Sequence, residues 1–96
     1  MIYPLYQRLQ LIPTRAAMNE LYDNNLDLYT VLNVLENGYD CYKSKRAKGT
    51  IERCLDEKRI TIRVVVVKSF NYSLNMDVWA ITHVGITSKH KHKVKK

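Results

Sequence analysis

Ile60-Thr61-Ile62-Arg63-Val64-Val65-Val66-Val67-Lys68-Ser69-Phe70 is the stretch on which the fold turns. β-Branched side chains favour extended backbone. Four consecutive valines leave neither side of this strand polar, so it reads as the central strand of a sheet. Working outward, Glu57-Lys58-Arg59 is a tight connection back to a strand over residues 50–56. Asn71-Tyr72-Ser73-Leu74-Asn75 is a loop leading to a last strand over residues 76–84, closed by Gly85. Upstream, a short strand over residues 39–43 precedes a polar, basic turn at residues 44–49.

Before Gly38 the period changes. Ala17, Met18, Leu21 and Tyr22 recur at helical spacing behind Pro13-Thr14, with Thr14 as N-cap. Asp23-Asn24-Asn25 interrupts, and Asp27 caps a second helix whose apolar face is Leu28, Val31, Leu32 and Leu35. Gly38 ends it as a left-handed C′ residue. Leu9 and Leu11 alternate with Arg8 and Gln10, making residues 6–12 a candidate extra strand. The expected class is α+β: two N-terminal helices packed on an antiparallel sheet of about four strands.

A chain of 96 residues allows one domain, and 46% hydrophobic content excludes wholesale disorder. No apolar run approaches the roughly 20 residues that span a bilayer. The first eight residues lack a basic segment followed by an apolar one, so a cytoplasmic protein without membrane association is expected. The charge of +7 is uneven. Residues 87–96 hold five Lys and no acid and read as a disordered basic tail on a domain of residues 1–86. Lys43, Lys45, Arg46 and Lys48 form the other basic cluster.

A hairpin about residues 46–49 sets Cys41 opposite Cys54, Tyr42 opposite Arg53 and Lys43 opposite Glu52. A disulfide is then within reach; two reduced thiols are the alternative and the expected state in a reducing cytosol. Neither cysteine has the CxxC spacing of redox catalysts.

The basic hairpin projects Lys43, Lys45, Arg46 and Lys48 where phosphates could be met, with Arg53 and Arg63 on strands behind it. Tyr39 and Tyr42 could stack on unpaired bases. The plainer account is a solvated hairpin that guards a sheet edge. His83 follows Trp79 and Ile81 on one strand face. Its imidazole suits a general base for RNA cleavage by the 2′-OH, or else a half-buried ring bonded to a neighbour. His90 and His92 lack a third ligand, so neither a metal nor a cofactor is expected. There is no HExxH pattern, and three well-separated glycines make no phosphate loop.

Thr14-Arg15-Ala16-Ala17-Met18 leading into a short helix, Val34-Leu35-Glu36-Asn37-Gly38 at a helix end, and Ile81-Thr82 in the last strand together resemble a small prokaryotic family of unknown function. That family is similar to BrnT-type toxins and, more distantly, to RelE-like ribonucleases. The resemblance covers about residues 6–86. Members often carry a histidine in a Thr-x-His-Ala setting; here Arg15 or its neighbourhood stands in its place. RelE-like toxins act without metal through Arg, Lys and Tyr, so an arginine there fits a charge-stabilising role or marks a binding-only relative.

Two functions from different classes follow. One is a metal-independent RNA-cleaving toxin, with Arg15, Arg53 and Arg63 on the scissile phosphate and Tyr42 or His83 assisting proton transfer. The other is a non-catalytic module whose partner is nucleic acid, an acidic antitoxin-like protein or a second copy of the chain.

Overall fold

Thr14 and Asp27 start the two helices as the sequence expects. The structure, a computed structural model, describes residues 2–41 and 48–88. The Thr14 hydroxyl oxygen accepts from the Ala17 N–H at 3.1 Å, and α1 runs Arg15–Asp23. The Asp27 carboxylate accepts from the Thr30 N–H at 2.9 Å and from its hydroxyl at 3.0 Å, starting α2, Leu28–Asn37. Each cap gives an acceptor to an N–H that has no partner within its helix.

The Thr30 backbone bond, followed by the Thr30 hydroxyl, holds the Asp27 carboxyl below its usual value of 3.8. A depressed folded-state value means the cap's contribution is present above pH 3.8 and is lost as pH falls through the folded-state value. Asp27→Ala should cost about 1 kcal/mol at pH 7. Urea titrations of both proteins at pH 7 and again near pH 3 should show that difference narrowing in acid.

Among the described residues there are six strands: β1 (Leu5–Tyr6), β2 (Leu9–Pro13), β3 (Tyr39–Asp40), β4 (Thr50–Glu57), β5 (Ile60–Asn71) and β6 (Met76–Ser88). Their order is β1-β2-β6-β5-β4-β3, so the valine-rich β5 lies inside the sheet. Both helices pack on one face. The core joins Ile62, Val64 and Val66 of β5, and Trp79, Ile81 and Val84 of β6, to Ala17, Leu21, Val31, Val34 and Leu35 of the helices.

The sheet departs from the expected antiparallel meander of about four strands. The candidate N-terminal strand is a hairpin, turned by Gln7 and Arg8 at φ 51° and 70°. Its second arm, β2, lies parallel to β6, with Leu11 opposite Trp79 and Pro13 opposite Ile81. Parallel neighbours need a long connection. Here the helices and three strands supply it, and Leu11 is fully buried as a result. At the other end β6 continues through Gly85, which pairs with Arg63, and takes in Thr87 and Ser88 from the segment read as tail. The rest of the tail lies outside the described residues.

Gly38 also departs from its expected conformation. Its backbone is extended, at φ −85° and ψ −167°, and is not left-handed. Glycine is needed because a Cβ would run into the carbonyl oxygens of Cys54 and Val34. Gly38→Ala should therefore destabilise by roughly 1–3 kcal/mol, the usual cost of overpacking, as read by chemical denaturation.

The β3–β4 register is offset by two residues from expectation: Tyr39 pairs with Cys54 and Asp40 with Arg53. An offset of two preserves the face. Cys41 thus stays on the Cys54 side, and a disulfide joins them across 5.4 Å between Cα atoms, the alternative to the expected reduced pair.

Candidate active site

One extra residue in β6 makes the site. Val65 pairs with His83 and Val66 with Ile81, so Thr82 has no partner opposite it. Its hydroxyl donates to the Val65 carbonyl at 3.3 Å. A bulge of this kind reverses the alternation of side chains beyond it. Trp79 and Ile81 point into the core, but His83 points the other way. The expectation that the three share a face is overturned by the bulge. His83 instead joins Glu52 and Cys54 of β4 and Arg63 of β5 on the face away from the helices.

Glu20 of α1 reaches this face around an open edge. The Thr14 N–H donates to the Ile81 carbonyl at 3.0 Å, and there the chain turns from β2 into α1. Beyond Ile81, β6 has no parallel neighbour among the described residues. The Val84 N–H donates to Glu20 Oε1 at 2.7 Å in its place. Glu20 Oε2 lies 3.1 Å from His83 Nδ1. On the ring's other side, Arg63 Nη2 is 3.2 Å from Nε2. Arg63 Nη1 donates to Glu52 Oε2 at 3.1 Å.

A guanidinium can only donate. The Arg63 contact is a hydrogen bond in the tautomer whose proton sits on Nδ1, toward Glu20, with Nε2 accepting. Glu52 is buried, with a side chain 6% exposed, whereas that of Arg63 is 46% exposed. The His83 side chain is 37% exposed. One end of the row is thus anchored and its centre is open to solvent. A Cβ at Gly85 would sit 3.0 Å from His83 Nε2, so glycine keeps room where the ring meets Arg63.

No family model, curated protein or solved structure matches the chain.

The structure brings two of the expected site residues, Arg63 and His83, together. Arg53 is on the opposite face, where it donates to the Gly38 carbonyl at 2.6 Å and to Asp40 at 3.0 Å. It ties α2's end to the sheet edge and does not approach His83. Arg15 is exposed at the first position of α1, five residues and about 140° around the helix from Glu20. Lys48 is exposed in the turn before β4. Tyr42, Lys43, Lys45 and Arg46 lie outside the described residues, as do His90 and His92. Tyr39 donates to Asp56 at 2.9 Å. That bond raises the phenol above its usual value of 10.0 and keeps its hydroxyl engaged.

Glu20 and Glu52 escaped the sequence reading. Glu20 had one weak signal, an acid bordering the apolar Ala17–Leu21 stripe of α1. Glu52 had none, since an acid in a charged β4 reads as solvent-facing. Among the described residues no group of three or more His, Cys, Asp or Glu could hold a metal ion, and no helix is long and apolar enough to cross a membrane.

Proposed function

We propose that this protein is a RelE/BrnT-like ribonuclease that cleaves RNA without a metal, by attack of a 2′-OH on the adjacent phosphate. The observation that carries the reading is the His83 ring held between a carboxylate and a guanidinium on a solvent-open face. A phosphate oxygen draws Arg63 off Nε2 and frees the lone pair. Nε2 then takes the 2′-OH proton as the oxygen bonds to phosphorus. The bond to the 5′-oxygen breaks, that oxygen takes a proton from water, and the hydroxide left behind takes the proton from Nε2, restoring the neutral ring. The products are a 2′,3′-cyclic phosphate and a 5′-hydroxyl. Arg63 balances the charge that builds on the phosphate oxygens. Glu20 fixes the tautomer and stabilises the imidazolium that forms, as the acid of a hydrolase triad does.

The basic segment that includes Lys48 would add charge attraction for the RNA backbone. Incubating the protein with RNA in excess chelator tests the reading. Arg63→Ala should lower cleavage by roughly 10²–10³-fold. Arg53→Ala, across the sheet, should leave the chemical step unchanged in a folded protein. Equal loss in both variants, or no cleavage by the parent, defeats the proposal.

A second reading, a protein-binding module, is favoured by exposed apolar surface at the β5–β6 tip. Phe70 and Tyr72 meet edge-on at 4.9 Å between ring centroids, beside exposed Leu74 and Met76. Light scattering would show whether the chain self-associates. A cognate acidic protein captured by the parent but not by Tyr72→Ala would favour this second reading.

A further inference from the structure

We infer that the Cys41–Cys54 bond is a reversible modification site, opened by a dithiol reductant, and that its state controls how Arg63 is held beside His83. The inference rests on the proposed RNA-cleaving site and adds its regulation.

Position is the first argument. In β4, Cys54 follows Glu52 by two residues, so both point to one face. Cys54 pairs directly with Arg63, and Glu52 with Val65. Cys41 is on the same side, because Tyr39 pairs with Cys54 and lies two residues before Cys41. The disulfide therefore adjoins the Glu52–Arg63 bond on the face that carries His83. Both cysteines and Glu52 are buried, at 8% exposure each, on the sheet face opposite the one on which α1 and α2 pack.

The second argument is mechanical. β3 has two residues and two pairs to β4. So short a ladder is weak, and the Tyr39–Asp56 and Arg53–Asp40 bonds fasten only the two residues before Cys41. The disulfide is the covalent tie that keeps Cys41 against β4. It also closes a ring, with sequence separation 13, that contains Lys43, Lys45, Arg46 and Lys48.

In the reductive step, a dithiol's thiolate attacks one cysteine sulfur and the other cysteine leaves as a thiolate, which takes a proton. The reductant's second thiol then displaces the mixed disulfide. The protein gains two thiols, and the reductant becomes a disulfide. Cys41 is then free to leave β4, and water reaches Glu52. A hydrated ion pair holds its partner less firmly. Arg63 loses its fixed position, and the Nε2 contact goes with it.

The test compares oxidised protein, dithiothreitol-reduced protein and the Cys41→Ser/Cys54→Ser variant at a temperature where the oxidised form is fully folded. The first readout is the pair of His83 ring nitrogens by NMR, which needs no activity. The second is RNA cleavage. Reduction should shift the His83 nitrogens and lower cleavage roughly fivefold or more, and reoxidation should restore both. The double variant should match the reduced state and ignore reductant. Glu52→Gln, with the disulfide intact, should give a similar His83 shift. Unchanged His83 nitrogens in a reduced, folded protein overturn the inference. Unfolding on reduction also overturns it, since the bond would then be structural only. If the His83 nitrogens respond but the oxidised protein never cleaves RNA, the coupling stands and the ribonuclease reading falls.

Discussion

His83→Gln should lower chelator-resistant RNA cleavage by roughly 10²–10⁴-fold, the range that a positioned general base contributes. The amide of glutamine keeps a donor and an acceptor but cannot carry the proton. Its stability cost should be small, because the ring is partly exposed and lies outside the core cluster. Melting curves of both proteins would separate lost chemistry from lost structure. Glu20→Gln probes the same row from behind. It retains an acceptor for the Val84 N–H but removes the charge that stabilises an imidazolium. A His83→Gln protein as active as the parent would remove the catalytic reading and leave the ring as a structural tie between α1 and the sheet.

The second large effect concerns stability. Reducing the Cys41–Cys54 bond should cost about 3 kcal/mol, the loop-entropy value for a ring of this length. For a domain of this size that corresponds to a fall in melting temperature of roughly 12–24 °C. Calorimetry with and without a phosphine reductant measures it, and a thiol count confirms that two thiols appear only after reduction. A small chain buries a limited core, so one covalent tie is a large fraction of its stability. If the two melting curves superimpose, the ring adds nothing to stability.

Much of this architecture could be read from local patterns. Val64–Val67 placed β5 inside the sheet, and Thr14 and Asp27 set the helix starts through cap chemistry that needs no tertiary information. The parallel pairing of β2 with β6 could not be read in that way. It joins residues almost seventy positions apart, and Leu9 and Leu11 carry no mark of strand direction. The site was legible by half. Arg63 and His83 stood out by residue type, but their meeting depends on Thr82, which looks like any other strand threonine. Glu20 joins them only because β2 departs at Pro13 and leaves a backbone N–H to be satisfied. Arg53 misled because its charge resembles that of Arg63, whereas strand parity puts the two on opposite faces.

Thr82 also changes what a comparison with other chains should look for. Odd-numbered positions of β6 face the helices up to Ile81, and even-numbered positions, Val84 among them, do so afterwards. The inserted residue is thus a change of parity within one strand. A related chain with the same three residues between tryptophan and histidine but no bulge would turn that ring toward the helices, whereas one lacking the inserted residue would keep it on the open face. The spacing from the buried tryptophan to the histidine, taken together with whether the strand bulges between them, would then mark which relatives carry the site.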